Sequence, residues 1–227
     1  MTGWLGDYWT FLVSRHEDIF TALKEHLLIS FVSIVLGALI AIPVGVLLAG
    51  NRKGWLNEVV FGIANILQTI PSLALLAILI PLLGIGKTPA IFALFLYSLM
   101  PMMRNTFSGC KAVDPHVLEA ARGMGYSSAQ RLLRIQLPLA FPYIMAGIRV
   151  TTVYVISWAT LATLIGAGGL GQLIFTGLGV NKKELIVTGA ILAVLLALAA
   201  DFCLAVAERW AATKTKSEPA AQTREAA

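Results

Sequence analysis

Apolar residues run through this chain in five long blocks, near residues 27–50, 59–83, 89–107, 139–165 and 185–207. Each is as long as the ~18 residues with which a helix crosses a hydrocarbon core. Inside a bilayer the backbone must satisfy its own polar groups, and a helix does so within each segment. The pattern therefore predicts an all-α, polytopic membrane protein with about five transmembrane helices. Between the third and fourth blocks, residues 108–138 interrupt it with two acids, three arginines and three glycines, and so predict a polar insert outside the membrane.

The flanks divide the chain further. Residues 1–26 have no basic n-region and no apolar core, so they do not read as a cleaved signal peptide. Trp4, Tyr8, Trp9 and Phe11 suit an interfacial segment outside the membrane-spanning unit of 27–207. The last residues, "TKTKSEPAAQTREAA", predict that 208–227 form a polar tail without fixed structure.

Composition agrees with that class. Of 227 residues 58% are hydrophobic and 13% charged, at a mean hydropathy of +0.81, whereas soluble domains carry roughly 25% charged residues. The net charge of +5 could suggest a nucleic-acid partner, but the basic residues lie between the apolar blocks, where topology accounts for them. Arg52, Lys53, Arg104, Lys111, Arg122, Arg131, Arg134, Arg209, Lys214, Lys216 and Arg224 fall on the side of the insert and the C-terminus. Only Arg15, Lys24, Lys87, Lys182 and Lys183 fall on the other. The excess predicts a cytoplasmic insert and an N-terminus outside. Cys110 and Cys203 then lie on or near the reducing side as free thiols. His16, His26 and His116 are scattered, with no nucleophile triad or metal-ligand cluster, so an enzyme reading has little to stand on.

The insert carries its own punctuation. Asp114-Pro115 predicts an N-cap followed by proline in the first turn, with a short helix through Val117, Leu118, Glu119 and Ala120. Gly123 and Gly125 are expected to end it. Ser127 followed by Gln130 predicts a capping box for a second helix, which carries Leu132, Leu133 and Ile135 before Pro138 restricts the residue ahead of it and opens the next span. Two short helices meeting at a glycine bend form a knob, and a knob implies a socket.

Glu119-Ala120-Ala121, Gly125, Ile135 and Leu137-Pro138 occur at the spacing of the "EAA" loop, and on these residues the chain resembles the permeases of ABC importers. The resemblance implies a permease of the type I importer kind, with residues Glu119 to Pro138, Gly123 included, docking into a cytoplasmic ATPase dimer. It also implies a second permease subunit, identical or paralogous, and a separate extracytoplasmic binding protein. No cofactor is expected on this chain, since ATP would be bound by the partner. "QTIPSLALLAILIPLLGIGKTPAIFALFLYSLMPMMRNT" and "ATLIGAGGLGQLIFTGLG" resemble the branch that imports glycine betaine, choline, carnitine or proline betaine. The "IGAGGLG" run also resembles methionine and phosphonate permeases, so a methionine or other small-nutrient permease is the nearer rival. A stand-alone channel or secondary carrier is the rival of another class, and leaves the insert unexplained.

Two motifs point elsewhere and fail on context. Gly166 to Gly171 spell G-x-G-x-x-G, but they close an apolar span and have no βαβ unit around them. "GIGKT" at 84–88 ends like a phosphate-binding loop, yet Pro81 stands where its first glycine is required. Tight backbone turns are the expected role of the first glycine run.

Candidate pathway residues come from polar positions within the spans. Asn65, Gln68, Thr69 and Ser72 recur at i, i+3, i+4 and i+7 beside Pro71, and line either a route or a helix contact. Ser157, Thr160 and Thr163 form a second stripe, with Trp158 and Tyr154 able either to pack or to face a quaternary ammonium. Arg149, roughly 16 Å beyond Pro138 at helical rise, is expected to pair with Asp201 or to snorkel to the interface.

Overall fold

The computed structural model describes residues 2–51 and 54–215, and every regular element among them is helical. Ten α-helices follow in order: α1 Thr2–Ser14, α2 His16–Gly50, α3 Gly54–Thr69, α4 Ser72–Leu83, α5 Lys87–Lys111, α6 Pro115–Gly123, α7 Ser128–Arg131, α8 Leu137–Ala159, α9 Leu170–Gly179 and α10 Lys183–Thr215. A π-helical turn, Leu132–Gln136, joins α7 to α8, and a 3-10 turn, Leu161–Ile165, follows α8. Arg52, Lys53 and residues 216–227 lie outside the described residues, as do the side chains of Trp4 and Lys214.

The helix α5 sits at the centre, and small residues let its neighbours reach it. Ser33, Gly37, Ala41, Gly45 and Ala49 recur every fourth residue along α2, and all are buried. A Cβ at Gly37 would fall on the Ser98 hydroxyl, and one at Gly45 would stand 2.8 Å from the Met103 carbonyl oxygen. Lipid tails are as apolar as leucine, so close backbone contact takes over much of the task of holding spans together. On its other side α5 meets α8, where a Cβ at Gly147 would stand 2.7 Å from the Asn105 side chain.

Centrality explains a difference in composition. Three helical stretches, His16–Gly50, Ser128–Ala159 and Lys183–Trp210, are long and apolar enough to cross a membrane alone. Although 25 residues long, α5 is not among them, and 12 of its residues are buried. A helix enclosed by protein can carry Ser98, Asn105 and Thr106, whereas the most apolar stretch of α10, with no buried residue, must suit its surroundings on every side.

Three boundaries differ from the sequence expectation. The block 59–83 is two helices, α3 and α4, bent by 96°. Pro71 lacks an N–H and ends the ladder there. The Ile70 carbonyl accepts from the Tyr97 hydroxyl at 2.6 Å, and Gln68 Nε2 donates to the Tyr97 carbonyl at 2.8 Å, which fixes the bend to α5. Ser72 therefore opens α4 and does not share a helical face with Asn65, Gln68 and Thr69. The second difference lies just ahead of Pro138, which opens α8 as expected but leaves no break before it. Leu137 stays helical (φ −64°, ψ −45°) and donates to the Leu132 carbonyl across a widened π turn, so 128–159 run on as one stretch. The third lies at the ends: α2 begins at His16, eleven residues ahead of the predicted span, and α10 carries helix through 208–215 into the expected tail.

At the end of α5 away from the insert, the two misleading motifs meet. Gly84 and Gly86 (φ +81° and +113°) turn the chain from α4 into α5, and the Gly86 N–H donates to the Ile165 carbonyl at 2.8 Å. Opposite, Gly166, Gly168 and Gly169 all have positive φ, and Thr163 Oγ1 donates to the Gly168 carbonyl. Neighbouring residues of α2 hold the start of α9: Glu25 Oε2 accepts from the Gly169 N–H, and His26 Nδ1 from the Leu170 N–H. His26 is fully buried, and its Nε2 lies 3.0 Å from the Ile156 carbonyl, so the neutral Nε2–H tautomer satisfies both contacts. The second Glu25 oxygen takes Lys87 at 2.9 Å. These glycines thus serve backbone turns and close approach.

Prediction: Gly37→Leu overpacks the α2–α5 contact by about 1–3 kcal/mol, and the detergent-solubilised protein melts at lower temperature. Gly62→Ala, where a Cβ meets nothing within 4 Å, leaves the melting temperature unchanged or slightly raised.

Candidate functional site

The insert is built from local rules that the bundle does not impose. Asp114 Oδ1 accepts from the His116 N–H at 2.8 Å, with Pro115 following the cap. Gly125 (φ +84°) ends α6: its N–H bonds the Arg122 carbonyl, and the Tyr126 N–H reaches back to the Ala121 carbonyl. That pair of bonds is a Schellman stop, which needs a left-handed residue. Gly123 lies within α6 and is not the terminator. Ser127 and Gln130 then exchange both capping-box bonds, at 2.8 and 3.3 Å.

Exposure sorts the insert's residues. Ala121 is buried, at 1% exposure, whereas Glu119, Ala120, Gly123 and Gly125 are exposed. Met124 and Leu133 are apolar and largely exposed as well. Ile135, Leu137 and Pro138 are half-buried where the π turn enters α8. Gln136 Nε2 donates to the Cys110 carbonyl at 3.0 Å, fastening the root of the insert to the end of α5. The projecting surface thus combines an acid, small residues and exposed apolar groups on a frame with fixed turns.

A second group of residues runs along α3, α5 and α8. Gln68 is joined to Tyr97 by its hydrogen bond, the Tyr97 ring lies 4.9 Å from that of Trp158, and Trp158 stacks on Tyr154 at 5.7 Å. Tyr97 therefore links the two sets of candidates that sequence reasoning left apart. A hydroxyl within an apolar block is the signal that could have singled it out, because it demands a partner at membrane depth. Asn65 and Thr69 are exposed on α3, and the Thr69 hydroxyl is spent on the Ile66 carbonyl. The exposed Ser157 and the half-buried Thr160 likewise bond back to Val153 and Ser157 carbonyls. Among these hydroxyls the local backbone takes the donor.

Arg149 pairs with Asp201 through two bonds, Nε to Oδ1 at 3.0 Å and Nη2 to Oδ2 at 3.1 Å. Its remaining nitrogen, Nη1, reaches Glu208 Oε2 at 3.0 Å, a partner one heptad further along α10 that sequence reasoning missed. A guanidinium presents such donors in a rigid fork, so one arginine on α8 clamps two turns of α10. Among the described residues no group of three or more His, Cys, Asp or Glu is placed to hold a metal ion.

Spans packed through small residues, a separately capped insert and paired charges in the bundle define a polytopic helical bundle with a projecting insert. Residues 41–216 match the binding-protein-dependent transport system inner membrane component family, and the chain belongs to that family. Its members are transport permease subunits. The chain is 48% identical over 199 residues to the choline transport system permease protein OpuBB of Bacillus subtilis (strain 168), covering 88% of this chain and 91% of that protein. It is likewise 48% identical over 200 residues to the glycine betaine/carnitine/choline transport system permease protein OpuCB of the same organism, covering 88% and 91%. The osmoprotectant import permease protein OsmY of Salmonella typhimurium is 41% identical over 194 residues, covering 86% and 82%. Among solved structures, an inward facing conformation of the MetNI methionine ABC transporter superposes with a TM-score of 0.80 at 26% identity, covering 87% of this chain and 98% of that one.

Prediction: Gly125→Ala forces a Cβ residue into the left-handed region at a cost of about 1–2 kcal/mol. Hydrogen exchange then quickens in the peptide spanning Ala121 to Gln130, while the protection of α5 is unchanged.

Proposed function

We propose that this chain is the transmembrane permease of an ATP-driven importer for quaternary-ammonium osmoprotectants, a group that includes glycine betaine, choline and carnitine. The 48% identity to permeases named for those solutes supports the substrate class. The methionine transporter shares the fold at 26% identity, which ranks methionine second. The observation that carries the coupling role is the insert. It has its own caps and stop, and its exposed Glu119 and Ala120 stand beside the buried Ala121 that seats the helix.

The partners follow from that reading. A cytoplasmic ATPase dimer binds the ATP and receives Glu119, Ala120, Ala121, Gly123, Gly125, Ile135, Leu137 and Pro138 of each permease. A second permease subunit, the same chain or a paralogue, completes the pathway, and an extracytoplasmic binding protein delivers the solute. The chain itself needs no cofactor. The N-terminus lies outside and the C-terminus inside, in keeping with the excess of basic residues on the insert's side. Residues 27–207 act as the membrane unit between the interfacial segment 1–26 and the tail 208–227.

Mechanically, closure of the two ATPases on ATP moves the knobs. The Gln136 bond to α5 and the continuous helix into α8 carry that motion into the bundle. Close contacts between α2, α5 and α8 leave little room for internal deformation, so the subunit moves largely as one body and switches access between the two sides. Asn65, Gln68, Thr69, Ser157, Trp158 and Thr160 stand beside the route in this proposal. Ser72 opens α4 on the far side of the bend and is set apart from them.

The test is a gentle-detergent pull-down of the tagged chain from its native membrane, with co-purifying proteins identified. An ABC ATPase is expected with the wild type and strongly depleted with Glu119→Arg, and solute-stimulated ATP hydrolysis falls at least tenfold in the variant. Solute flux that persists without ATP, with no ATPase recovered, would establish a channel or carrier instead.

A further inference from the structure

Beside the ion pair of Arg149 lies a recess of about 500 Å³ lined by Ala146, Arg149, Val150, Val153, Tyr154 and Asp201. Its volume falls in the range of about 300–1,000 Å³ typical of small-ligand sites. One wall is aromatic: Tyr154 is 49% exposed and stacks on Trp158, with ring planes 26° apart, and Trp158 in turn leans on Tyr97. The ring is thus backed and held while leaving surface free. Elsewhere Lys24 lies over Phe20, Arg104 over Phe61 and Lys111 over Phe107. Among the described residues Tyr154 and Trp158 have no such cation of their own.

The charge beside that ring does not balance. Arg149 contributes one positive charge against the two carboxylates of Asp201 and Glu208, which among the described residues pair with no other cation. The recess itself is lined by Arg149 and Asp201, and Glu208 stands behind them on Arg149 Nη1, so that the cluster as a whole carries one negative charge in excess. Both Asp201 oxygens already accept from Arg149. The recess therefore offers an attractive field and an aromatic face, but few acceptors directed at an N–H donor. Ala146, Val150 and Val153 supply methyl surface. A cation that cannot donate hydrogen bonds and is itself clad in methyl groups meets each of these conditions.

We infer that the recess between α8 and α10, walled by Tyr154 and biased by the Arg149–Asp201–Glu208 network, is a transient site for the quaternary ammonium head of the transported solute. This rests on the substrate class proposed above and adds a location and a selectivity rule to it. Choline is held in preference to ethanolamine, which has the same hydroxyl and charge but carries N–H donors. Tyr154 is a contact residue in this scheme, and Trp158 positions it.

The experiment is equilibrium binding of radiolabelled choline to the full-length permease in nanodiscs without binding protein, competed with tetramethylammonium, ethanolamine or sodium chloride at fixed ionic strength. Uptake of choline by the assembled transporter runs in parallel. Saturable binding is expected, displaced by tetramethylammonium and much less by ethanolamine. Tyr154→Leu weakens binding about threefold to tenfold, the scale of one cation–π contact, while Tyr154→Phe retains it and controls for folding. Absence of saturable binding, equal competition by ethanolamine, or wild-type affinity in Tyr154→Leu overturns the site. Uptake that persists alongside any of these leaves the substrate class standing and removes the site alone. A wild-type transporter that moves no quaternary ammonium overturns the substrate class, and the site with it.

Discussion

Where a helix of this protein breaks within the bundle, the freed backbone groups have to be satisfied by the protein itself, because hydrocarbon offers no partner. That constraint shapes the least regular parts of the bundle. At the α3–α4 bend the Ile70 carbonyl takes the Tyr97 hydroxyl. At the start of α9 the N–H groups of Gly169 and Leu170 are met by Glu25 and His26, adjacent residues on a different helix. Each break is therefore also a tie between elements far apart in sequence. Small residues of α2 allow those ties by bringing the backbones close enough for short side chains to reach across.

The same economy separates the protein's two tasks. The insert draws its internal turns from caps and stops that need only nearby residues, while Gln136 fastens its root to α5. The bundle spends its polar side chains on breaks and on one charge cluster, and most of the hydroxyls that could have faced a solute are bonded to their own helix. The proposed pathway therefore does not rest on a dense ring of donors and acceptors. Aromatic surface and unbalanced charge, which the α8–α10 recess combines, suit a solute whose head group makes no hydrogen bonds.

How much could be read from the sequence varied with the range of the physics involved. The insert was legible almost residue by residue, since Asp114, Gly125, Ser127 and Gln130 act through bonds to residues within five positions. Gly123 was misjudged because two glycines stood near one stop, and only the sign of φ separates them. Pro138 opens α8, but Leu137 ahead of it stays helical because a π turn absorbs a proline that an ordinary helix cannot. The stripe through Ser72 failed on the size of the turn at Pro71, which Tyr97 fixes from another helix.

By itself the sequence determined the membrane class, the number of long apolar blocks, the position of the insert and its internal turns. Those depend on composition, on periodicity and on contacts between near neighbours in the chain. Tertiary structure alone decided that α5 lies at the centre, that Glu208 joins Asp201 on Arg149, and that the two glycine-rich motifs meet at one end of the bundle. These are contacts between residues tens of positions apart. Their geometry follows from how closely backbones approach, a quantity that no stretch of sequence carries on its own.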